Sequence, residues 1–298
     1  SKWLKLANSV KLRLAMRICY VKPNLAKQYA MEAVRDGVME TADDSALFQS
    51  WGSITIINPL EKIWNGYSDT RMGASMDSYL NGYNDPRLPV YFQPVTEGDN
   101  KGEYRGVANG MPNPQQDDYK AMSAPNVQEK STDSPLRWMM ASEVAFLRAE
   151  GAMRGWTAEM GGTAEEFYNK GIELSFLENG LSADAAARYA ADETSKPTDF
   201  TDVSAANTKY NISALGKITI KWNAGASEEE QLERIITQKW IAMFPNGTEA
   251  WSEFRRTGYP LIFPVRSNYP TSGVDTNKQI RRMVFPQSEY SNNGAAVQ

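Results

Sequence analysis

SEEEQLERIITQKWIAMFPNGTEAWSEFRRTGYP, residues 227–260, decides the fold. Ser227 followed three residues later by Glu230 is a capping-box start, and Leu232, Ile235, Ile236, Trp240, Met243 and Phe244 recur at helical spacing. Pro245-Asn246-Gly247 stops that helix. Thr248 is expected to cap a shorter second one carrying Trp251 and Phe254, which Gly258 and Pro260 end. The pattern predicts a helical hairpin with one broad apolar stripe. Its charged residues (Glu228 to Glu230, Glu233, Arg234, Lys239) read as the solvated face.

Two more hairpins are expected on either side of a long irregular stretch. Residues 1–18 open as an amphipathic helix, Pro23 breaks it, and residues 24–37 resume the pattern with Ala26, Ala30 and Ala33 at close-packing spacing. Residues 135–155 and 163–180 form the second pair around Gly161-Gly162, with Ala164, Tyr168 and Gly171 repeating that spacing. Paired helices of this kind read as tetratricopeptide-type units. The expected organisation is one domain over 1–298. It has hairpins at 1–40, 135–193 and 226–260, a loop-rich region at 41–134 and an irregular tail at 261–298. Within 41–134 only a strand at 53–57 and a helix at 75–81 are predicted. A further helix falls near 182–193, and 194–225 is a polar connection interrupted by the apolar run Ile218 to Trp222.

The composition excludes several chemistries. The 298 residues are 41% hydrophobic and 23% charged with a formal charge of −4, and no dense basic run suggests a nucleic-acid surface. With no histidine, Ser-His-Asp and Cys-His catalysis and His-ligated zinc are ruled out. The single cysteine, Cys19, allows no internal disulfide and reads as a small buried residue. Neither glycine-rich phosphate motif occurs, so no nucleotide cradle is expected, and no metal or cofactor is predicted. Asp69, Asp77 and Asp85 serve as turn residues as readily as they would serve a glycosidase carboxylate pair. Asp85-Pro86-Arg87 reads first as a loop clamp.

Eight tryptophans and fourteen tyrosines stand out instead. An indole or phenol ring packs on the apolar face of a pyranose while neighbouring polar side chains take the hydroxyls. Trp64-Asn65-Gly66-Tyr67-Ser68-Asp69 holds both kinds of group within six residues, with Trp51 upstream and Arg71 downstream. The candidate ligand-binding set is therefore Trp51, Trp64, Asn65, Tyr67, Asp69 and Arg71.

A family resemblance runs through the same residues. Trp3, Ala7-Asn8-Ser9, Leu12 to Ala15 and Arg17 form a KW-x-x-x-AN-S-x-x-LR-x-A-x-R helix. Asp85 to Tyr91 and Tyr104-Arg105-Gly106 to Gly110 give a DPR-L segment and a Y-x-G-x-x-x-G turn. Glu143, Leu147, Ala149 and Glu150 make E-x-x-x-LxAE, and Gln238 to Trp240 with Gly247 to Arg256 make the QKW hairpin. Arg281-Arg282, Phe285-Pro286, Glu289 and Asn292 close the series. Together they resemble the C-terminal part of the SusD/RagB family, within it the SusD-like outer-membrane nutrient-binding lipoproteins. The resemblance implies a mainly α protein, with tetratricopeptide-like hairpins packed against an irregular, loop-rich ligand-binding region. It implies a lipid-anchored cell-surface protein that captures an oligosaccharide and passes it to a TonB-dependent transporter barrel without catalysis. A peptide ligand is the alternative within the family, and a glycoside hydrolase the alternative outside it. The lipid anchor and first helices of the family are expected to lie outside this chain.

Overall fold

The computed structural model describes residues 1–111, 115–126, 135–268, 274–283 and 285–297, and of Asn65 only the backbone. Helix α1 (Lys2–Arg17) and helix α2 (Pro23–Arg35) pair as expected, with Ala26, Ala30 and Ala33 fully buried against Leu12, Ala15 and Met16. Asn8 explains part of its motif. Its amide donates to the carbonyls of Asp36 and Gly37 at 2.9 and 2.8 Å, which would otherwise be orphaned beyond the end of α2. Ser9 accepts the Met39 N–H at 3.0 Å, so one turn of α1 pins the whole exit of the hairpin.

A two-stranded antiparallel ribbon follows, β1 (Ala46–Phe48) against β2 (Leu136–Met139). Between them run single turns and helix α3 (Ala74–Gly82), which matches the helix expected at 75–81. The strand expected at 53–57 does not form. Trp51 and Ile54 exchange hydrogen bonds across Gly52-Ser53, so the chain folds back on itself and leaves no partner for a longer ladder. The helix expected from 135 also starts late, because Leu136 to Met139 are taken up by the ribbon.

Helix α4 (Ala141–Gly151) is the hub. All its residues but Arg148 are buried, since it is enclosed by α1, by helix α5 (Ala164–Leu177) and by helix α7 (Glu228–Ala242). Gly171 of α5 is what lets that helix approach: a Cβ there would lie 2.7 Å from the Phe146 ring. Thr163 and Glu166 make the reciprocal capping box of α5. Helix α6 (Ala183–Ala190) follows, and then the apolar run 218–222. There Ile218, Ile220 and Trp222 are buried while the hydroxyls of Tyr83 and Tyr168 donate to the carbonyls of Ile218 and Ile220.

The hairpin of α7 and helix α8 (Gly247–Thr257) is present, with three differences from expectation. Ser227 caps α7 by accepting the Glu230 N–H, but the Glu230 carboxylate turns to Arg234, so the box is one-sided. Asn246, not Thr248, caps α8, its side chain accepting the Glu249 N–H at 3.2 Å. The charged face is not solvated throughout, since Arg234 and Lys239 are buried. Lys239 lies 3.5 Å from Glu253 and 3.9 Å from Glu143. Around them Arg13 forks onto Glu143, Arg17 pairs with Glu249 and Glu253, and Arg256 bridges Glu150 and Glu253 at 2.6 and 2.5 Å. Carboxylates brought from α4 and α8 are what allow a lysine on α7 to be buried, while the α1 arginines balance the remaining carboxylate charge.

Arg87 is a clamp in the same sense. Fully buried, it forks onto Asp85 at 2.9 and 2.7 Å and donates to Ser175 and Gln238, joining the loop region to α5 and α7. The tail, expected to be irregular, includes helix α9 (Gln287–Asn292) and the short turn Gly294–Ala296. Among the described residues no helix is long and apolar enough to cross a membrane.

Candidate functional site

The loop 58–71 begins at Asn58, whose side chain accepts the Leu60 N–H and starts a helical turn at Pro59. That turn widens into a π-helical turn over Lys62–Gly66, which carries Trp64. Wide turns of this kind occur often at functional sites, because the extra residue displaces side chains from the regular helical face. Ser68 then adopts φ 56°, a left-handed conformation uncommon for a residue with a side chain. Its N–H reaches the Trp64 carbonyl at 2.8 Å, and its own carbonyl accepts from Arg71 at 2.8 Å, so the bend is held from both sides.

Arg71 organises this loop. Its guanidinium lies 4.5 Å from the Trp64 ring centroid, and it donates to the carbonyls of Ser68, Thr70, Tyr119 and Lys120. Burial pushes its pKa below the ordinary arginine value, with the nearby Asp69 charge acting in the opposite direction. Most of its N–H groups are thus committed to backbone, and its chief service to the site is to hold the indole. Gln116 reaches across to Asp69 at 3.4 Å, fastening the loop to the turn Gln116–Tyr119.

Between that turn, the 68–73 strand of loop and residues 107–111 opens a cavity of about 680 Å³. Of the expected residues, Asp69 and Arg71 line it, joined by Tyr119, Gln116, Asn109 and Met111. Trp64, half-buried, lies outside the lining and is tied to it through Arg71. Tyr67 is 58% exposed, with the Lys62 ammonium 6.0 Å from its ring, and Trp51 is 80% exposed at the tip of its own turn. The Asn65 side chain lies outside the described residues. Of the expected set, Asp69 and Arg71 therefore line the cavity, while Trp51, Trp64 and Tyr67 lie outside its lining. Sequence reasoning missed Tyr119 and Gln116, for which proximity to Arg71 is the only signal, and that is set by the fold.

The arrangement offers flat rings, a carboxylate, amides and a phenol. Among the described residues there is no group of three or more carboxylates or cysteine that would hold a metal ion. The buried carboxylate of Asp77 is pushed above the ordinary aspartate value by burial, offset by the Gly106 N–H and Arg105. It accepts the Gly106 N–H at 2.6 Å and the Asn81 amide at 2.8 Å, which makes it a brace for the Tyr104-Arg105-Gly106 turn.

Comparison with known proteins adds the family. The SusD-like family, described as Susd and RagB outer membrane lipoprotein, matches residues 1–298. The chain belongs to it. The outer-membrane setting and the mainly helical fold implied by the sequence motifs stand with that assignment. A chitin-binding SusD homolog from Flavobacterium johnsoniae is 42% identical, with a TM-score of 0.88 over 99% of this chain and 59% of the other. A SusD-like protein from Bacteroides thetaiotaomicron is 44% identical, with a TM-score of 0.90 over 100% of this chain and 60% of the other. A SusD homolog from Bacteroides ovatus is 38% identical, with a TM-score of 0.88 over 100% and 61%. This SusD-like chain thus spans about three fifths of the length of these solved structures. No curated protein matches it.

Proposed function

We propose that this SusD-like chain belongs to an outer-membrane lipoprotein that captures an oligosaccharide at the cell surface and does no chemistry on it. The observation that carries the reading is the Trp64 indole, 4.5 Å from the guanidinium of Arg71, which itself lines the 680 Å³ cavity, with exposed Tyr67 on the same loop and exposed Trp51 on a separate turn. A ring fixed in this way presents a stacking face with little entropy left to lose on binding. The chitin-binding description of the Flavobacterium johnsoniae homolog supports β-linked N-acetylglucosamine oligomers as the first ligands to try. Hand-off to a TonB-dependent transporter barrel is the remaining part of the proposal, and co-purification with that barrel tests it.

Calorimetric titration with chitohexaose tests the binding site. Trp64→Ala should weaken binding by about tenfold or more, as expected for loss of an aromatic stack together with its buried area, while the melting temperature stays close to that of the parent. Unchanged affinity removes Trp64 from the site. New reducing ends appearing during incubation would replace the binding reading with hydrolysis.

A further inference from the structure

The ribbon that precedes α4 carries a second aromatic feature, built from none of the residues of the candidate site. In the register of β1 and β2, Ala46 faces Met139 and Leu47 faces Arg137, so Trp138 is the extra residue of a β-bulge. Bulges turn a side chain out of the regular alternation of a strand. Here the indole is 49% exposed and stacks on Phe48, itself 43% exposed, with centroids 5.0 Å apart and planes 17° apart. A core plug would be sealed on both faces. This pair instead uses one face of each ring on the other, so the phenyl ring backs the indole and limits its rotation.

Trp138 also lines a cavity of about 520 Å³ that shares no lining residue with the first. Arg137, Tyr91, Asn126 and Asn246 line it as well. Arg137 donates through Nη2 to Asn179 Oδ1 at 2.9 Å, whereas its buried Nη1 has no hydrogen-bond partner among the described residues. A buried guanidinium nitrogen left without an acceptor is costly, and Arg137, lining this cavity beside a flat ring, is suited to take an incoming oxygen.

We propose that Trp138, backed by Phe48 and flanked by Arg137, is a second glycan subsite that stacks one pyranose ring and donates from Arg137 to a hydroxyl or acetamido oxygen. The inference rests on the oligosaccharide reading but on none of its residues. The experiment follows the indole N–H resonances of the 298-residue chain by NMR during titration with chitohexaose, then maltohexaose and xylohexaose. Trp138→Tyr and Trp64→Tyr assign the two signals. The expected result is a saturable shift of the Trp138 signal with at least one of the three, and affinity for that sugar roughly tenfold weaker in Trp138→Ala. Arg137→Met should weaken it as well without moving the melting temperature of the wild type by more than a few degrees. A Trp138 signal that stays put while that of Trp64 moves overturns this proposal and leaves the first site standing. A shift at Trp138 alone supports it and removes Trp64. If neither signal moves with any sugar, the oligosaccharide reading and this subsite fall together.

Discussion

Arg87→Met measures how much of the fold depends on one buried charge. Methionine is close in length, so the perturbation is mainly the loss of a cation and its donors. Four side chains lose a hydrogen bond: Asp85, Ser175, Tyr189 and Gln238. Asp85 is the costly one, because its side chain, like that of Arg87, has no exposure, and its carboxylate keeps only the Tyr189 hydroxyl and local backbone as partners. Leaving one member of a buried pair uncompensated costs about 3–5 kcal/mol, against at most about 1 kcal/mol for an exposed pair. At roughly 2–4 °C per kcal/mol for a chain of this size, the variant should melt on the order of 10 °C below the parent. Thermal and urea unfolding followed by circular dichroism read this directly. The pair Asp85→Asn with Arg87→Met should recover at least about 1 kcal/mol over Arg87→Met alone, since the orphaned charge is gone. A single variant melting within about 2 °C of the parent refutes the clamp, and so does a double variant less stable than the single.

Two further outcomes follow from the packing. Burial opposes ionisation of Glu253, but Lys239, Arg256 and Arg17 outweigh it and hold its pKa well below the ordinary glutamate value. Glu150 is likewise lowered, Arg256 overcoming its burial. The stability these carboxylates supply is whole above the unfolded pKa of about 4.5 and is lost as the pH falls through their folded values. Glu253→Gln should therefore be less stable than the parent near neutrality and lose less on acidification, which paired melts at about pH 7 and about pH 3 will show. Gly82→Ala places a Cβ against the Lys196 carbonyl and 2.7 Å from the Thr198 nitrogen, both backbone atoms that cannot rotate away. The urea midpoint should fall by the equivalent of about 1–3 kcal/mol, and an unchanged midpoint would mean the 196–198 segment is not packed there.

The helical hairpins were legible because their information is local. Ala26, Ala30 and Ala33, or Leu232, Ile235 and Ile236, declare a buried face within three turns. The motif arginines and glutamates were less so. Arg234 and Lys239 look like a solvated face in a sequence, and only the fold reveals that both are buried, Arg234 paired with Glu230 and Lys239 facing Glu253 where four helices converge. The candidate site was half legible for the same reason. The Trp64 to Asp69 loop shows its residue types, but the pairing of Arg71 with the carbonyls of Tyr119 and Lys120 joins positions some fifty residues apart. The Phe48 and Trp138 stack was not legible, because it depends on the register of two short strands and on where the bulge falls.

The meeting of Arg13 and Arg17 with Glu143, Glu249 and Glu253 has a mechanical consequence. It fastens the opening helix to the middle of the chain and to its last hairpin, so distant stretches of sequence are riveted at one point. A scaffold riveted in this way favours grasping by its surface loops over the clamshell closing of two lobes. Ligand entry should then leave the helices where they are, and the rearrangement it causes should be confined to the turns around Trp64 and the ribbon around Trp138.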